Sequence, residues 1–205
     1  MKGFFITIEG GEGSGKGTVI SKLKEKYPEF VFTREPGGTK ISEQIREIIV
    51  GKDNTELVPE AEALLFAAAR AQHMYEKIIP ALEDGKVVVS DRFIDSNFAY
   101  QGFARGLGMH RIMQANELAV GNHMPNMTIY LDIEPEIAFK RIAENNRETN
   151  RLDLESMEFH KKVRAGYFAV AEMHQKRYRI VNANQTPEKV FMDVVACIEE
   201  LIAHE

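Results

Sequence analysis

Lys16 sits in a run of small residues, Gly10-Gly11-Glu12-Gly13-Ser14-Gly15-Lys16-Gly17-Thr18. Glycines at this density let the chain curl so that several backbone N–H groups point into one hollow, a shape suited to phosphate oxygens. A helix starting there adds partial positive charge, and Lys16 adds a full one. The spacing G-x-x-x-x-G-K fits from Gly10 to Lys16, the pattern of a phosphate-binding loop. The fit ends at the next residue. Gly17 stands where Ser or Thr ordinarily offers a hydroxyl to Mg²⁺, and Thr18 comes one place later. Side-chain coordination of a metal at position 17 is therefore impossible. The implied chemistry is the handling of a nucleoside triphosphate on residues 10–18.

Such a site also wants a carboxylate near the metal. Asp91 closes the apolar run Val87-Val88-Val89-Ser90. A carboxylate at the C-terminal end of a strand faces the crevice where open α/β sheets bind ligands. Asp91 is the expected organiser of Mg²⁺; Glu9, ending the first apolar run, is a weaker candidate. Arginines gather near the same strand ends: Arg34 after the second run, Arg46 in the next helical stretch, Arg70 in the long one, Arg92 after Asp91. One phosphate chain does not need so many guanidinium groups, whereas two phosphorylated substrates do, because the guanidinium fork matches phosphate oxygens bidentately. Phe66 and Arg70 are four residues apart, which puts ring and guanidinium on one helix face. That pair suits a flat base, although Leu64–Ala69 alone reads as plain core. The polar stretch 145–151, with Arg147, Arg151 and, upstream, Arg141, reads as a surface loop on composition. In a phosphate-binding protein it also suits a closing lid over about residues 141–153.

These residues need a frame. Short apolar runs at Phe4–Glu9, Phe30–Thr33, Lys86–Ser90, Met127–Asp132 and Tyr178–Asn182 alternate with periodic stretches at Lys16–Lys26, Ile41–Val50, Pro59–Glu83, His110–Val120, Glu134–Glu144, Leu154–Lys176 and Pro187–Ala203. Strands alternating with helices predict an α/β fold, a doubly wound parallel sheet with crossover helices. The unbroken Val87-Val88-Val89 predicts a central strand covered on both faces, and Pro80 predicts a kink or break in its helix. No linker-like tract divides the 205 residues, so one domain is expected. At 44% hydrophobic and 28% charged residues, net charge -5, the composition argues against nucleic acid as a partner. The longest apolar run, Ala61–Ala71, holds Glu62 and Arg70 and cannot span a bilayer. Cys197, the lone cysteine, excludes an intrachain disulfide, fits a reducing cytoplasm and reads as a core thiol. The six histidines fall in no persuasive motif.

Taken in order, Glu9-Gly10 with the loop, Thr33-Arg34-Glu35-Pro36-Gly37-Gly38, Asp91-Arg92-Phe93, Ala99-Tyr100-Gln101-Gly102 and Asn150-Arg151-Leu152-Asp153 span most of the chain. This set resembles the bacterial thymidylate kinases, a P-loop nucleoside monophosphate kinase family. The resemblance implies a five-stranded parallel sheet flanked by helices, a homodimer, and the reaction of ATP with dTMP to ADP and dTDP with Mg²⁺. It implies that Lys16 and the loop N–H groups hold ATP and that Asp91 organises the metal through water. Arg92, with Arg34 and Arg46 nearby, takes the dTMP phosphate. Phe66 stacks on thymine, Arg70 and Gln101 address its polar edge, and Tyr100 crowds the place of a ribose 2′-hydroxyl. Arg147 and Arg151 are the lid arginines, the more needed because the loop has Gly13 rather than arginine. Glu12 bears on the acceptor sugar. Departures are Gly17, Gly11 where Pro is frequent, and Asn97 where small hydroxyl residues are common; Asn97 alters hydrogen bonding to the acceptor. Other readings stay open: a monophosphate kinase for AMP or dUMP, towards which Gly-Lys-Gly-Thr leans, or a P-loop ATPase or GTPase switch. The GTPase would want an Asn-Lys-x-Asp segment, and the sequence has none.

Overall fold

The computed structural model describes residues 3–144 and 150–203. Five parallel strands form one sheet: β1 Phe5–Gly10, β2 Val31–Arg34, β3 Val88–Asp91, β4 Met127–Asp132 and β5 Tyr178–Asn182, in the order β2-β3-β1-β4-β5. β1 lies at the centre, with Ile8 beside Asp91 of β3 and Glu9 beside Tyr130 of β4. The loop after β1 and the carboxylate ending β3 therefore open on one crevice, at the point where the strand order reverses. The predicted strands are all present, within a residue or two. Arg34 ends β2 rather than following it.

Residue alternation sorts β1 between two layers. Ile6 and Ile8 pack with Val89, Ile129 and Leu131 against α1 (Lys16–Lys26) and α9 (Pro187–Ala203). Phe5 faces the other side with Val88, Phe93, Tyr130 and Tyr167. Thr7 and Glu9 share that second face and are buried there. Each polar group at such a place needs a partner. Thr7 Oγ1 lies 2.9 Å from Thr128 Oγ1, which donates to Asp95 Oδ2 at 2.8 Å. Arg177 donates to Asp95 from both terminal nitrogens, each at 2.7 Å.

The remaining helices are α2 (Lys40–Val50), α3 (Pro59–His73), α4 (Ile79–Glu83), α5 (Ile94–Asn97), α6 (Met109–Val120), α7 (Pro135–Glu144) and α8 (Met157–Met173). Thr39 caps α2 and Ser156 caps α8, each side chain accepting from a backbone N–H three residues on. The break expected at Pro80 is a π-helical turn, Met74–Ile78, inserted before α4. A wider turn absorbs the hydrogen bond that proline cannot donate. A second π turn, Phe98–Ala104, continues α5 where no element was expected, and carries Tyr100 and Gln101. It packs tightly on α8: a side chain at Gly166 would meet the carbonyl of Ala99 at 2.9 Å. Cys197 is half-buried beside the α1–α9 layer.

Candidate functional site

The loop is shaped by its glycines. Gly13 has φ 72°, and a Cβ there would lie 2.5 Å from the carbonyl of Ala138, so no other residue fits. Gly15 begins α1 from a left-handed conformation, and the helix N-terminus faces the hollow. Lys16 folds back, its Nζ donating to the carbonyls of Gly10 at 3.0 Å and Gly11 at 3.1 Å. Burial pushes the Lys16 pKa down, as does Arg92, while Glu12, Asp91 and Glu9 oppose the shift. Two of the ammonium's three donors are thus spent on the loop, and its burial leaves it weakly solvated at the lining of the hollow.

Arg92 lies across this hollow. It is the sole non-glycine with positive φ among the described residues, at 69°. That conformation costs about 1–2 kcal/mol and persists where surroundings impose it. Its Nη2 donates to Glu12 Oε1 at 2.5 Å and to the Tyr100 hydroxyl at 3.4 Å. Its Nη1 donates to Ser96 Oγ and the Tyr167 hydroxyl, both at 3.1 Å. Burial works against this charge, but Tyr100, Glu12, Tyr167 and Asp91 raise the pKa well above the ordinary guanidinium range. Arg34 pairs with Glu43 at 2.7 Å, and Arg46 donates to the carbonyl of Pro36 at 2.9 Å.

One cleft of about 640 Å³ takes in the loop from Glu12 to Thr18, Arg34, Arg46, Asp91, Arg92, Arg141 and Asn150. Cationic groups line this cleft in two sets, the loop with Lys16 and the arginines Arg34, Arg46 and Arg92, and Asp91 lines it with them. Its Oδ1 is buried with no hydrogen-bond partner, and so is Ser14 Oγ. An acceptor left bare in this way asks for a ligand or ordered water. Among the described residues, no three His, Cys, Asp or Glu converge as a metal-binding group. A cation here would rest on one carboxylate, phosphate oxygens and water.

Phe66, Arg70, Asn97, Tyr100 and Gln101 do not line this cleft; they are buried, and the polar groups of Arg70, Asn97 and Gln101 satisfy one another and their neighbours. Arg70 is 1% exposed; its Nε donates to Glu35 at 2.8 Å, and its Nη1 donates to Asn97 at 3.3 Å and, in a very short contact, to Asn116. Asn97 donates to Gln101, and Gln101 to Glu62, each at 2.7 Å. Phe66 is buried one turn before Arg70, and Tyr100 is buried against the Arg92 guanidinium, whose carbon stands 5.3 Å from the ring centre. Arg151 stands apart from the cleft. It donates to the carbonyl of Ile49 at 3.0 Å and forms a close ion pair with Glu62. Arg147 falls outside the described residues.

Sequence reasoning missed several members. Glu35 bridges Arg70 and His73, the latter at 3.0 Å, and His73 Nε2 lies 2.6 Å from Thr33 Oγ1. Glu62 gathers Gln101, Arg105 and Arg151. Asn116, Ser96 and Tyr167 also belong to these networks. The one available signal was an acid set inside an apolar run, Glu9 after Ile8 and Glu62 within Ala61–Ala71.

Comparison with known proteins agrees with this geometry. A family model described as thymidylate kinase matches residues 8–194. A thymidylate kinase of Clostridium novyi (strain NT) is 55% identical over 199 residues, covering 94% of this chain and 97% of the relative. A thymidylate kinase of Bacillus thuringiensis (strain Al Hakam) is 51% identical over 205 residues, covering 98% and 99%. The crystal structure of thymidylate kinase from Ehrlichia chaffeensis superposes with a TM-score of 0.77 at 31% identity, covering 97% of this chain and 99% of that one.

Proposed function

The chain belongs to the thymidylate kinase family, and from that premise we propose that it transfers the γ-phosphoryl group of ATP to dTMP, giving ADP and dTDP on the route to dTTP. The observation that carries this reading is that one cleft is lined by two sets of cationic groups, the loop with Lys16 and the Arg34–Arg46–Arg92 group. A hydrolase needs only the first.

The acceptor is a phosphate monoester with a second pKa of about 6, so near neutral pH it is mostly dianionic and needs no general base. The obstacle is repulsion between two anions. Lys16 and the loop N–H groups hold the ATP phosphates; Arg92, supported by Arg34 and Arg46, holds the dTMP phosphate in line with them. Phe66, Arg70, Asn97, Tyr100 and Gln101 take the nucleoside end, and Glu12, paired with Arg92, borders its sugar. The bare Oδ1 of Asp91 and the absence of a hydroxyl at Gly17 fit Mg²⁺ held through water. When bound, Mg²⁺ neutralises charge on the β- and γ-phosphate oxygens. Arg147 and Arg151 belong to a lid over about residues 141–153 of a single kinase domain; Arg151 reaches the phosphates by leaving Glu62.

We assign the chain to the cytoplasm and to a homodimer. No described helix is long and apolar enough to cross a membrane. Leu64 on α3 and Leu118 on α6, two helices in contact, stand 60% and 100% exposed and support self-pairing.

A coupled ADP-release assay over a panel of nucleoside monophosphates tests the reading. Release with dTMP well above that with AMP, dUMP or no acceptor is expected. Acceptor-independent hydrolysis indicates an ATPase, and preference for AMP or dUMP a different kinase.

A further inference from the structure

Glu9, next to last in the central strand, is fully buried, and no step above uses it. Its Oε1 accepts from the backbone N–H of Phe93 at 2.7 Å. Its Oε2 accepts from Ser96 Oγ at 2.5 Å and from the Tyr167 hydroxyl at 3.0 Å. Those two hydroxyls lie 2.8 Å apart, and both accept from Arg92 Nη1. The cluster has one direction of donation. Once ionised, above about pH 7, the carboxylate can only accept, so it draws the Ser96 and Tyr167 protons to itself and turns hydroxyl lone pairs toward Arg92. A carboxylate acceptor also makes its bonds roughly twice as strong as neutral ones. The Phe93 contact pins the residue that follows Arg92, where the backbone holds its left-handed turn.

We propose that Glu9 is a positioning residue for the reaction, acting through Ser96 and Tyr167 to hold the strained Arg92 so that its one uncommitted donor, the Nε–H, and its charge stay turned to the acceptor phosphate. The proposal rests on Arg92 being the group that takes that phosphate. The fold is arranged for the contact. Tyr167 is wholly buried, stacked on Tyr130 at 4.6 Å and edge-on to Tyr100 at 6.3 Å, so its ring is fixed without help from its hydroxyl. Gly166 beside it removes the side chain that would keep α8 away from the π turn. Burial, with Glu9 and Tyr100 nearby, raises the Tyr167 pKa far above the ordinary phenol range despite Arg92, so its hydroxyl keeps its proton.

The test is Tyr167→Phe, which leaves the ring packing in place, with Glu9→Gln as the stronger variant. Each is titrated with dTMP and with thymidine, which lacks the phosphate, and assayed for turnover. The expected result for Tyr167→Phe is about tenfold weaker dTMP binding, the loss of one charge-assisted hydrogen bond, with thymidine affinity and KM for ATP within about twofold of wild type. Glu9→Gln should exceed that loss. Equal losses for dTMP and thymidine, or an unchanged dTMP affinity in folded Tyr167→Phe, overturn the proposal. Should wild type itself release no ADP with dTMP, the kinase reading fails instead, whatever the variants do.

Discussion

Arg92 and Arg70 are both arginines paired with glutamates, and they mark two regions built on opposite terms. The Arg92 side chain keeps 15% exposure at the mouth of the cleft, on a left-handed backbone, with a bare carboxylate oxygen next door. The Arg70 side chain keeps 1%, on a regular helix, with Glu35, Asn97 and Asn116 all bonded to it. A cation that must receive a mobile anion has to be oriented yet left partly unsatisfied, and the strain at Arg92 is a cost of that arrangement. A cation that shapes a buried layer can be closed in, and then its partners depend on it for their own burial. On the proposed function the first arrangement serves turnover, while the second, besides meeting the nucleoside, is closed in as a buried pair on which stability depends.

Removing each arginine separates the two. Arg92→Ala should lower kcat/KM for dTMP by about 10³-fold, the scale of a phosphate-stabilising arginine. KM for ATP should stay within about threefold, and the melting temperature should barely move, because Glu12 borders an open cleft. Steady-state kinetics in both substrates checks this. A loss confined to ATP binding would place Arg92 in the wrong cationic set.

Arg70→Met should act the other way. It leaves Glu35 buried beside His73 without its guanidinium, and breaking a buried pair costs about 3–5 kcal/mol. For a chain of this size that is a fall of about 10 °C in melting temperature. Calorimetry that finds no change would mean the layer is held by its amides alone.

Glu9 lies under the open region and should reveal it through pH. Burial, then Asp95, pushes its pKa from 4.5 to about 7, against the opposing Ser96, Arg92 and Phe93 contacts. The folded state therefore holds a proton that the unfolded state releases between about pH 4.5 and 7. Stability from this group falls as pH rises through that window, by about 1–3 kcal/mol, and is level on either side. Denaturant unfolding of wild type against Glu9→Gln should show that slope in wild type alone. Parallel profiles would mean Glu9 is ionised throughout.

The two regions were unequally legible in the sequence. The phosphate loop is local: its glycines and Lys16 are contiguous, and Asp91 closes an apolar run, so pattern and chemistry coincide. The buried layer is assembled from afar. Arg70 reaches Asn116 across 46 positions and Arg151 reaches Glu62 across 89, and the support under Arg92 is as remote, with Tyr167 reaching Glu9 across 158. No period or spacing encodes such pairs; only the folded sheet brings them together. The π turns were hidden for a related reason. An i→i+5 turn inserts one residue and rotates the following side chains off the helical stripe, and no residue type of its own announces it. Pro80 betrayed one of them because it lacks a donor, and nothing comparable marked Phe98–Ala104.

Gly17 gives the smallest and most discriminating change. A Cβ there would meet nothing within 4 Å, and the residue is in the first turn of α1, so serine fits without strain. Serine is also the better helix former by about 0.5 kcal/mol. Packing therefore does not require glycine at the one place where the loop departs from its pattern. If the metal rests on Asp91, water and phosphates, Gly17→Ser should change kcat by less than about threefold and lower the Mg²⁺ concentration for half-maximal rate by a similar factor, the worth of one modest added ligand. A Mg²⁺ titration of turnover at saturating nucleotides measures it. A gain of tenfold or more in kcat would mean that the open region lacks a ligand it needs, and that Asp91 alone does not set the metal.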